Sequence, residues 1–193
     1  WRPPSGHWFS DVIGLVNGAI VKTAGGNATL TLSAHNNIAI NAGISSSVGT
    51  LGLTLNANSD AVGGGTATIG AAVNLNGGTL SVGSPGALTL NSSIANATLL
   101  ASTLTSGSGT LDGVTLGSNL SLTGTLFVRN GLTLGNGVTF NIGNSILAFQ
   151  VAGTQHLATL GSSTLVMAGG TIQAGNGAAQ TLQIDAGQIR RLP

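Results

Sequence analysis

Short segments in which apolar and small polar residues alternate recur along almost the whole chain. Examples are Leu30-Thr31-Leu32, Ile38-Ala39-Ile40 and Leu53-Thr54-Leu55. A period of two places successive side chains on opposite faces of a β-strand. The sequence therefore predicts many strands, each about three to five residues long. The same pattern returns at Val73-Asn74-Leu75, Leu80-Ser81-Val82, Leu88-Thr89-Leu90, Leu120-Ser121-Leu122 and Leu132-Thr133-Leu134.

Charge is too scarce for amphipathic helices. Charged residues make up 5% of the chain, whereas a quarter is usual, and an exposed helix needs a charged outer face. The 32 glycines would each weaken a helix by roughly 1 kcal/mol relative to Ala. A hydrophobic content of 41% argues against disorder. Composition therefore indicates an all-β domain.

Turn signals separate the strands and favour one of two all-β architectures. Turns are indicated by Asn-Gly pairs that begin at positions 17, 76, 130, 136 and 176, and by Gly63-Gly64-Gly65 and Ser84-Pro85-Gly86. They follow one another more closely than the turns of a sandwich. Phrases such as Gly113-Val114-Thr115-Leu116 and Gly131-Leu132-Thr133-Leu134 recur without strict identity, as in stacked coils. The aromatic content is 3%, which suits a narrow core into which large rings fit poorly.

We therefore expect a parallel β-helix, or β-solenoid. With about 20 residues per coil it has about nine coils and a length on the order of 45 Å. Residues 1–18, which contain Trp1, Trp8 and Phe9, are expected to be an N-terminal cap or linker. Residues 19–187 form the β-helix, and residues 188–193 form a C-terminal tail or edge cap. An outer-membrane barrel is disfavoured because its spans are longer and carry aromatic girdles.

The phrases from Leu30 to Ser46 resemble the coils of filamentous-haemagglutinin-type adhesins. Residues 109 to 143 resemble the looser coils of autotransporter passengers. The resemblance extends over roughly residues 25 to 187 and implies a right-handed parallel β-helix on a bacterial cell surface. The Asn-Pro-Asn-type motif of the family's secretion domain does not occur here. The resemblance therefore implies a shaft or repeat region.

Candidate catalytic chemistry is sparse. Glycosidases need two carboxyls about 5–10 Å apart, and Asp60 and Asp112 could stack only if the coil length divides their separation in sequence. We favour the interpretation that the aspartates form turns and caps through side-chain hydrogen bonds to the backbone. The three histidines, His7, His35 and His156, are too scattered to predict a metal site. We therefore predict no catalytic, cofactor-binding or metal-binding residues and no cofactor.

Ice binding would need unbroken ranks of Thr-x-Thr on a flat solenoid face. Thr29-Leu30-Thr31, Thr66-Ala67-Thr68 and Thr103-Leu104-Thr105 follow one another at equal intervals. The segments between them do not repeat the motif in an unbroken rank. We favour the interpretation that these threonines are ordinary outward-facing residues of β-strands.

These observations predict a non-catalytic structural and adhesive module of a bacterial extracellular surface protein, presenting a polar Ser, Thr and Asn face. Expected partners are other copies of the chain or surface glycans and proteins. A net charge of +1 gives no attraction to nucleic acid, and no apolar run is long enough to insert in a membrane. Two alternatives stay open. A self-stacking fibre subunit requires complementary ends, and a glycan-active lyase or hydrolase requires converging ionisable side chains.

Overall fold

The computed structural model describes residues 14–175, 180–185 and 188–191. Within these residues every regular element is a β-strand, and nineteen strands join in one sheet. Every strand pairing found there is parallel. The all-β class and the parallel pairing are thus confirmed, and the arrangement is consistent with a β-solenoid.

The strands are numbered in chain order. They are β1 (Gly14–Val16), β2 (Ile20–Lys22), β3 (Ala28–Ser33), β4 (Ile38–Ile40), β5 (Ile44–Ser46), β6 (Leu51–Asn56), β7 (Ala67–Ile69), β8 (Val73–Val82), β9 (Ala87–Leu90), β10 (Ser93–Leu100), β11 (Thr103–Leu116), β12 (Leu120–Leu134), β13 (Thr139–Gly143), β14 (Ile146–Phe149), β15 (Gly153–Thr159), β16 (Thr164–Met167), β17 (Thr171–Ala174), β18 (Gln180–Asp185) and β19 (Gln188–Arg191).

The pairings form three series, which we call the first, second and third faces. The first face contains β1, β4, β7, β9, residues 103–106 of β11, residues 120–124 of β12, β13, β16 and β19. The second contains β2, β5, residues 73–75 of β8, 93–95 of β10, 109–112 of β11, 125–129 of β12, β14 and β17. The third contains β3, β6, residues 78–82 of β8, 97–100 of β10, 114–116 of β11, 132–134 of β12, β15 and β18.

Inward apolar side chains stack in columns along each face. On the third face one register position is leucine on six successive strands, namely Leu30, Leu53, Leu80, Leu99, Leu116 and Leu134. All but the first are at most 1% exposed. Full burial of a leucine side chain contributes about 1.5–3 kcal/mol. The alternation in sequence therefore becomes a continuous aliphatic core.

The length of chain between neighbouring strands varies from turn to turn. Ala87 lies opposite Thr103, and Ile38 lies opposite Ala67, so the second pair encloses a much longer stretch of sequence than the first. The expectation of about 20 residues per coil is therefore wrong for several turns of the chain. Extra residues are accommodated in connections such as 57–66, between β6 and β7, and these leave the strand register intact.

Several strands are longer than the sequence predicts. Strands β8, β10, β11 and β12 have 10, 8, 14 and 15 residues. Asn76 and Asn130 take positive φ angles of 51° and 52°, each followed by a left-handed glycine, so the chain turns a corner within the strand. The Asn-Gly pairs do change the chain direction, but parallel pairing resumes at once on the next face.

Buried serines complete the backbone hydrogen bonding where the chain turns from the first face to the second. Ser145 Oγ donates to Leu122 O at 2.9 Å and accepts from Gly124 N at 3.1 Å. Ser106 Oγ likewise donates to Thr125 O at 2.7 Å. Both serines are nearly inaccessible, at 7% and 2% exposure. They supply hydrogen-bond partners to backbone groups at these corners, among them the carbonyl of the buried Leu122.

Asparagine side chains join neighbouring strands at other corners. Asn41 Nδ2 donates to Asn17 Oδ1 at 3.0 Å, and Asn96 Nδ2 donates to Asn74 Oδ1 at 3.3 Å. These are the side-chain pairs expected of a stacked fold. Elsewhere an asparagine oxygen accepts from the backbone one turn of chain later, as when Asn37 Oδ1 accepts from Thr66 N at 2.9 Å.

Aromatic rings are accommodated in the core, contrary to the expectation of a core too narrow for them. Phe140 is 0% exposed and Phe149 is 2% exposed. The turn of chain that leads from Phe140 to its register neighbour Leu165 is longer than the turn from Ala87 to Thr103. Both buried rings lie on this longer turn of chain.

Two strands fall within the predicted terminal ranges. Strand β1 lies within 1–18 and pairs with β4, while β19 lies within 188–193 and pairs with β16. The aromatic residues of the predicted cap, Trp1, Trp8 and Phe9, lie outside the described residues, as does the Asn176-Gly177 turn signal.

Candidate functional site

Outward-facing threonines form two regular rows. On the first face Thr68, Thr89, Thr105 and Thr123 are register neighbours on successive strands. On the third face Thr79, Thr98, Thr115 and Thr133 are related in the same way. Strand pairing sets the spacing along each row at about 4.8 Å. Each row presents a hydroxyl and a methyl group at constant intervals.

The three Thr-x-Thr segments do not lie above one another on a single face. Thr29 and Thr31 lie on the third face, whereas Thr66-Ala67-Thr68 and Thr103-Leu104-Thr105 belong to the first. On the first face the Thr-x-Thr pattern is interrupted, as expected, because Ala87 takes the place of a threonine opposite Thr103. The single rows were missed in the sequence because their members are separated by unequal numbers of residues.

The two central aspartates do not come together. Asp112 lies on the second face, where its Oδ1 accepts from Asn130 Nδ2 at 2.6 Å. Asp60 lies in the connection between β6 and β7, where its Oδ1 accepts from Val62 N at 3.2 Å. The stacking of these two carboxylates that the sequence allowed is therefore not found. Asp60 makes a local turn hydrogen bond of the kind favoured for the aspartates, whereas Asp112 bonds to a side chain on the neighbouring strand. Asp11 lies outside the described residues.

Two histidines lie beside aspartates from other turns of the chain. His156 Nδ1 is 2.6 Å from Asp185 Oδ2, and Gln183 Nε2 donates to Asp185 Oδ1 at 2.6 Å. His35 Nδ1 is 3.9 Å from Asp60 Oδ2. The hydrogen bond with His156, assisted by Gln183, holds the pKa of the Asp185 carboxyl below its usual value despite some desolvation. These partly exposed pairs link turns of the chain at its surface.

Lys22 and Arg129 also donate hydrogen bonds to neighbouring residues. Lys22 Nζ donates to the carbonyl oxygens of Val48 and Gly25, and Arg129 Nε donates to Gln150 Oε1 at 3.2 Å. In the part of the chain that the structure describes, no group of three His, Cys, Asp or Glu side chains could hold a metal ion. His7 is not among those residues.

Shallow grooves lie at two corners of the third face. One, of about 440 Å³, lies where the chain passes from the second face to the third, and Asn27, Thr29, Thr50, Gly52 and Thr79 are among its lining residues. The other, of about 410 Å³, lies beside the Ser84-Pro85-Gly86 turn. Sequence reasoning missed both grooves. The available signal for the first was Gly52, which replaces the usual polar residue between Leu51 and Leu53.

A smaller cavity, of about 140 Å³, lies at the C-terminal end between the second and third faces. Phe149 and Leu182 contribute apolar surface to it, and Gln155 contributes an inward amide. Gln155 is 5% exposed, and its Nε2 donates to Thr154 O at 3.3 Å. Polar residues thus replace aliphatic ones in the interior at this end.

Comparison of the chain with protein-family models, curated proteins and solved structures finds no match. The described residues contain no helix long and apolar enough to span a membrane.

Proposed function

We propose that the chain is a non-catalytic structural and adhesive module of a bacterial extracellular surface protein. In this proposal it is a right-handed parallel β-helix of about nine coils that presents its outward hydroxyl and amide groups to a partner. The observation that carries the proposal is the sequence of parallel pairings, which returns to each of the three faces in the same order.

The handedness and the number of coils have separate support. Connections between parallel strands of one sheet are right-handed in about 98% of cases. The strands of the first face, from β1 to β19, supply one member for each proposed coil. Nine coils at a strand spacing of about 4.8 Å correspond to a rod on the order of 45 Å long.

The chemistry of the outward surface supports adhesion by hydrogen bonding and shape. The threonine rows present hydroxyl groups without charge, so little repulsion opposes close contact with another surface. The resemblance to haemagglutinin-type coils favours an extracellular location. The separation of Asp60 from Asp112 supports a non-catalytic role over that of a glycan-active enzyme.

Surface labelling of the source cells tests the location. Antibody raised against residues 19–187 is expected to label intact cells, and external protease is expected to remove the label. Labelling that appears only after cell permeabilisation would contradict the extracellular assignment.

Attachment assays test the adhesive role. Beads coated with the chain are expected to attach to a eukaryotic cell monolayer above the level of albumin-coated beads. Free chain added in excess is expected to compete with them. Attachment equal to the albumin control would contradict the adhesive part of the proposal.

A further inference from the structure

The groove at the corner between the second and third faces has the volume of a ligand site. Its volume of about 440 Å³ lies within the range of about 300–1,000 Å³ that is typical of small-molecule sites. Three successive turns of chain contribute to it, through Thr29, Thr50 and Thr79 among others. The groove is therefore built by stacking and is absent from any single turn.

Gly52 creates the opening. Thr29 is its register neighbour on β3, and the pairing of Leu53 with Leu80 sets Thr79 opposite it on β8. Gly52 therefore interrupts an outward row that has threonine on the strands to either side. Its φ angle is not among the positive values of the chain, so the backbone conformation does not require glycine here.

Glycine within a strand weakens it and often marks a place where a ligand approaches closely. A Cβ at position 52 would lie 3.1 Å from Thr29 Oγ1, its nearest neighbour. That atom ends an exposed side chain, which can turn to make room. Neither backbone conformation nor backbone contact therefore excludes a larger residue at this position, and the open space is what glycine provides.

The lining selects the chemistry of the ligand. The residues that line the groove are Thr, Asn, Gly and Ala, with no ionisable or aromatic side chain among them. Threonine hydroxyls both donate and accept hydrogen bonds, and their methyl groups contact C–H surfaces. Asn27 Oδ1 is held in place by the hydrogen bond from Thr50 N at 3.0 Å. These groups suit a neutral ligand with many hydroxyl groups.

From this geometry we infer that the groove is a binding site for a neutral saccharide segment of one or two sugar units. The inference rests on the proposed function, because it supplies a ligand class for the adhesive surface. Sugar hydroxyls bond to Thr29, Thr50 and Thr79, while the bare backbone at Gly52 lets the ring approach the sheet. We expect a dissociation constant on the order of millimolar because the groove is shallow, and an adhesive surface strengthens such binding by multivalency.

Titration with disaccharides tests the inference. Maltose, cellobiose and lactose are each added to isotopically labelled chain while backbone amide shifts are recorded. At least one is expected to shift the amides of Gly52, Gly77 and Gly78 with a saturable curve. The inference is overturned if none of the three sugars does so.

Two variants locate the binding. Gly52→Thr continues the threonine row and occupies the space over the backbone at position 52, so affinity is expected to fall at least about tenfold, while the unfolding midpoint is unchanged or higher because threonine favours strands. Thr115→Val, on the same row but outside the groove, is expected to bind within twofold of the original chain. If Gly52→Thr and the original chain bind the disaccharide with equal affinity, the inference is overturned.

Bead attachment separates this inference from the proposed function. Loss of sugar binding in Gly52→Thr is expected to reduce attachment. Attachment by a chain that binds none of the sugars overturns the inference alone. Saturable sugar binding without attachment upholds the groove as a saccharide site and counts against the adhesive role.

Discussion

At the scale of the residue, each strand divides its side chains between a column inside and a row outside. Leu80 is 0% exposed and lies between Leu53 and Leu99 in the inward column. Leu15, in contrast, points outward from β1 and is 57% exposed. The contribution of a leucine to stability therefore depends on whether its position in the strand faces the core or the solvent.

Replacing Leu80 by alanine leaves a cavity between two neighbouring leucines. We expect the free energy of unfolding to fall by about 2–5 kcal/mol, whereas Leu15→Ala should change it by less than about 0.5 kcal/mol. Urea denaturation followed by circular dichroism measures both. Equal effects of the two substitutions would show that the inward and outward positions are wrongly assigned.

Glycine positions differ sharply in their tolerance of a side chain. At Gly124 φ is +97°, and an added Cβ would lie 2.1 Å from Ser106 O. Gly107, on the preceding turn of chain, has nothing within 4 Å of such a Cβ. We expect Gly124→Ala to destabilise the fold by more than the roughly 1–2 kcal/mol of the left-handed conformation itself.

Gly107→Ala is the matched control for Gly124→Ala, and its unfolding midpoint should match that of the original chain. Thermal unfolding compares the three proteins. A Gly124→Ala variant as stable as Gly107→Ala would refute the close approach of the two corners.

The Asp185 carboxyl makes stability depend on pH in the acid range. Its pKa is lower in the folded chain than the ordinary value of 3.8 because His156 donates to it. The folded state therefore favours the ionised form. This stabilisation is present above pH 3.8 and is lost as the pH falls through the lowered pKa.

Thermal unfolding between about pH 5 and pH 2 measures this contribution. The Asp185→Asn and His156→Ala variants should each lose part of the acid-dependent fall in the unfolding midpoint. An unchanged profile in both variants would contradict the role of the His156–Asp185 pair.

At the scale of the element, strand content and direction could be predicted, but strand length and spacing could not. The alternation at Leu53-Thr54-Leu55 correctly indicates which side chains are buried. The same alternation does not reveal that β12 continues through Asn130-Gly131, because one left-handed pair can turn the chain without ending the pairing. Because successive turns differ in length, the sequence also does not reveal which segments become neighbours in the sheet.

The candidate groove could not be foreseen for the same reason. Asn27, Gly52 and Thr79 come from three different turns, and only the register shows that they meet. The buried serines were likewise missed, since Ser106 and Ser145 resemble the many exposed serines in sequence. Their role depends on the corner that each one faces.

Ser145 joins neighbouring corners through two hydrogen bonds, with Leu122 O and Gly124 N. Ser145→Ala leaves the buried Leu122 carbonyl without this partner and removes the acceptor of the Gly124 N–H group. We expect a loss of about 1–3 kcal/mol in the free energy of unfolding. The exposed Ser108 provides the control, since Ser108→Ala should change stability by less than about 0.5 kcal/mol. Equal stability of the two variants in urea denaturation would argue against the serine bridge.

At the scale of the whole molecule, parallel stacking connects composition with surface. Because the aliphatic columns and the strand pairing hold the fold together, the outward positions can carry small uncharged residues. Each turn contacts mainly its neighbours, so stability is close to a sum of local terms. The resulting surface is regular and nearly free of charge, which is the physical basis of the proposed adhesive role.

Backbone nuclear Overhauser contacts test the stacking most directly. Parallel stacking predicts that Leu99 contacts both Leu80 and Leu116, and that Thr98 contacts Thr79 and Thr115, with residue numbers rising together on all three strands. Contacts in which the numbers rise on one strand and fall on its neighbour would show antiparallel pairing and contradict the solenoid.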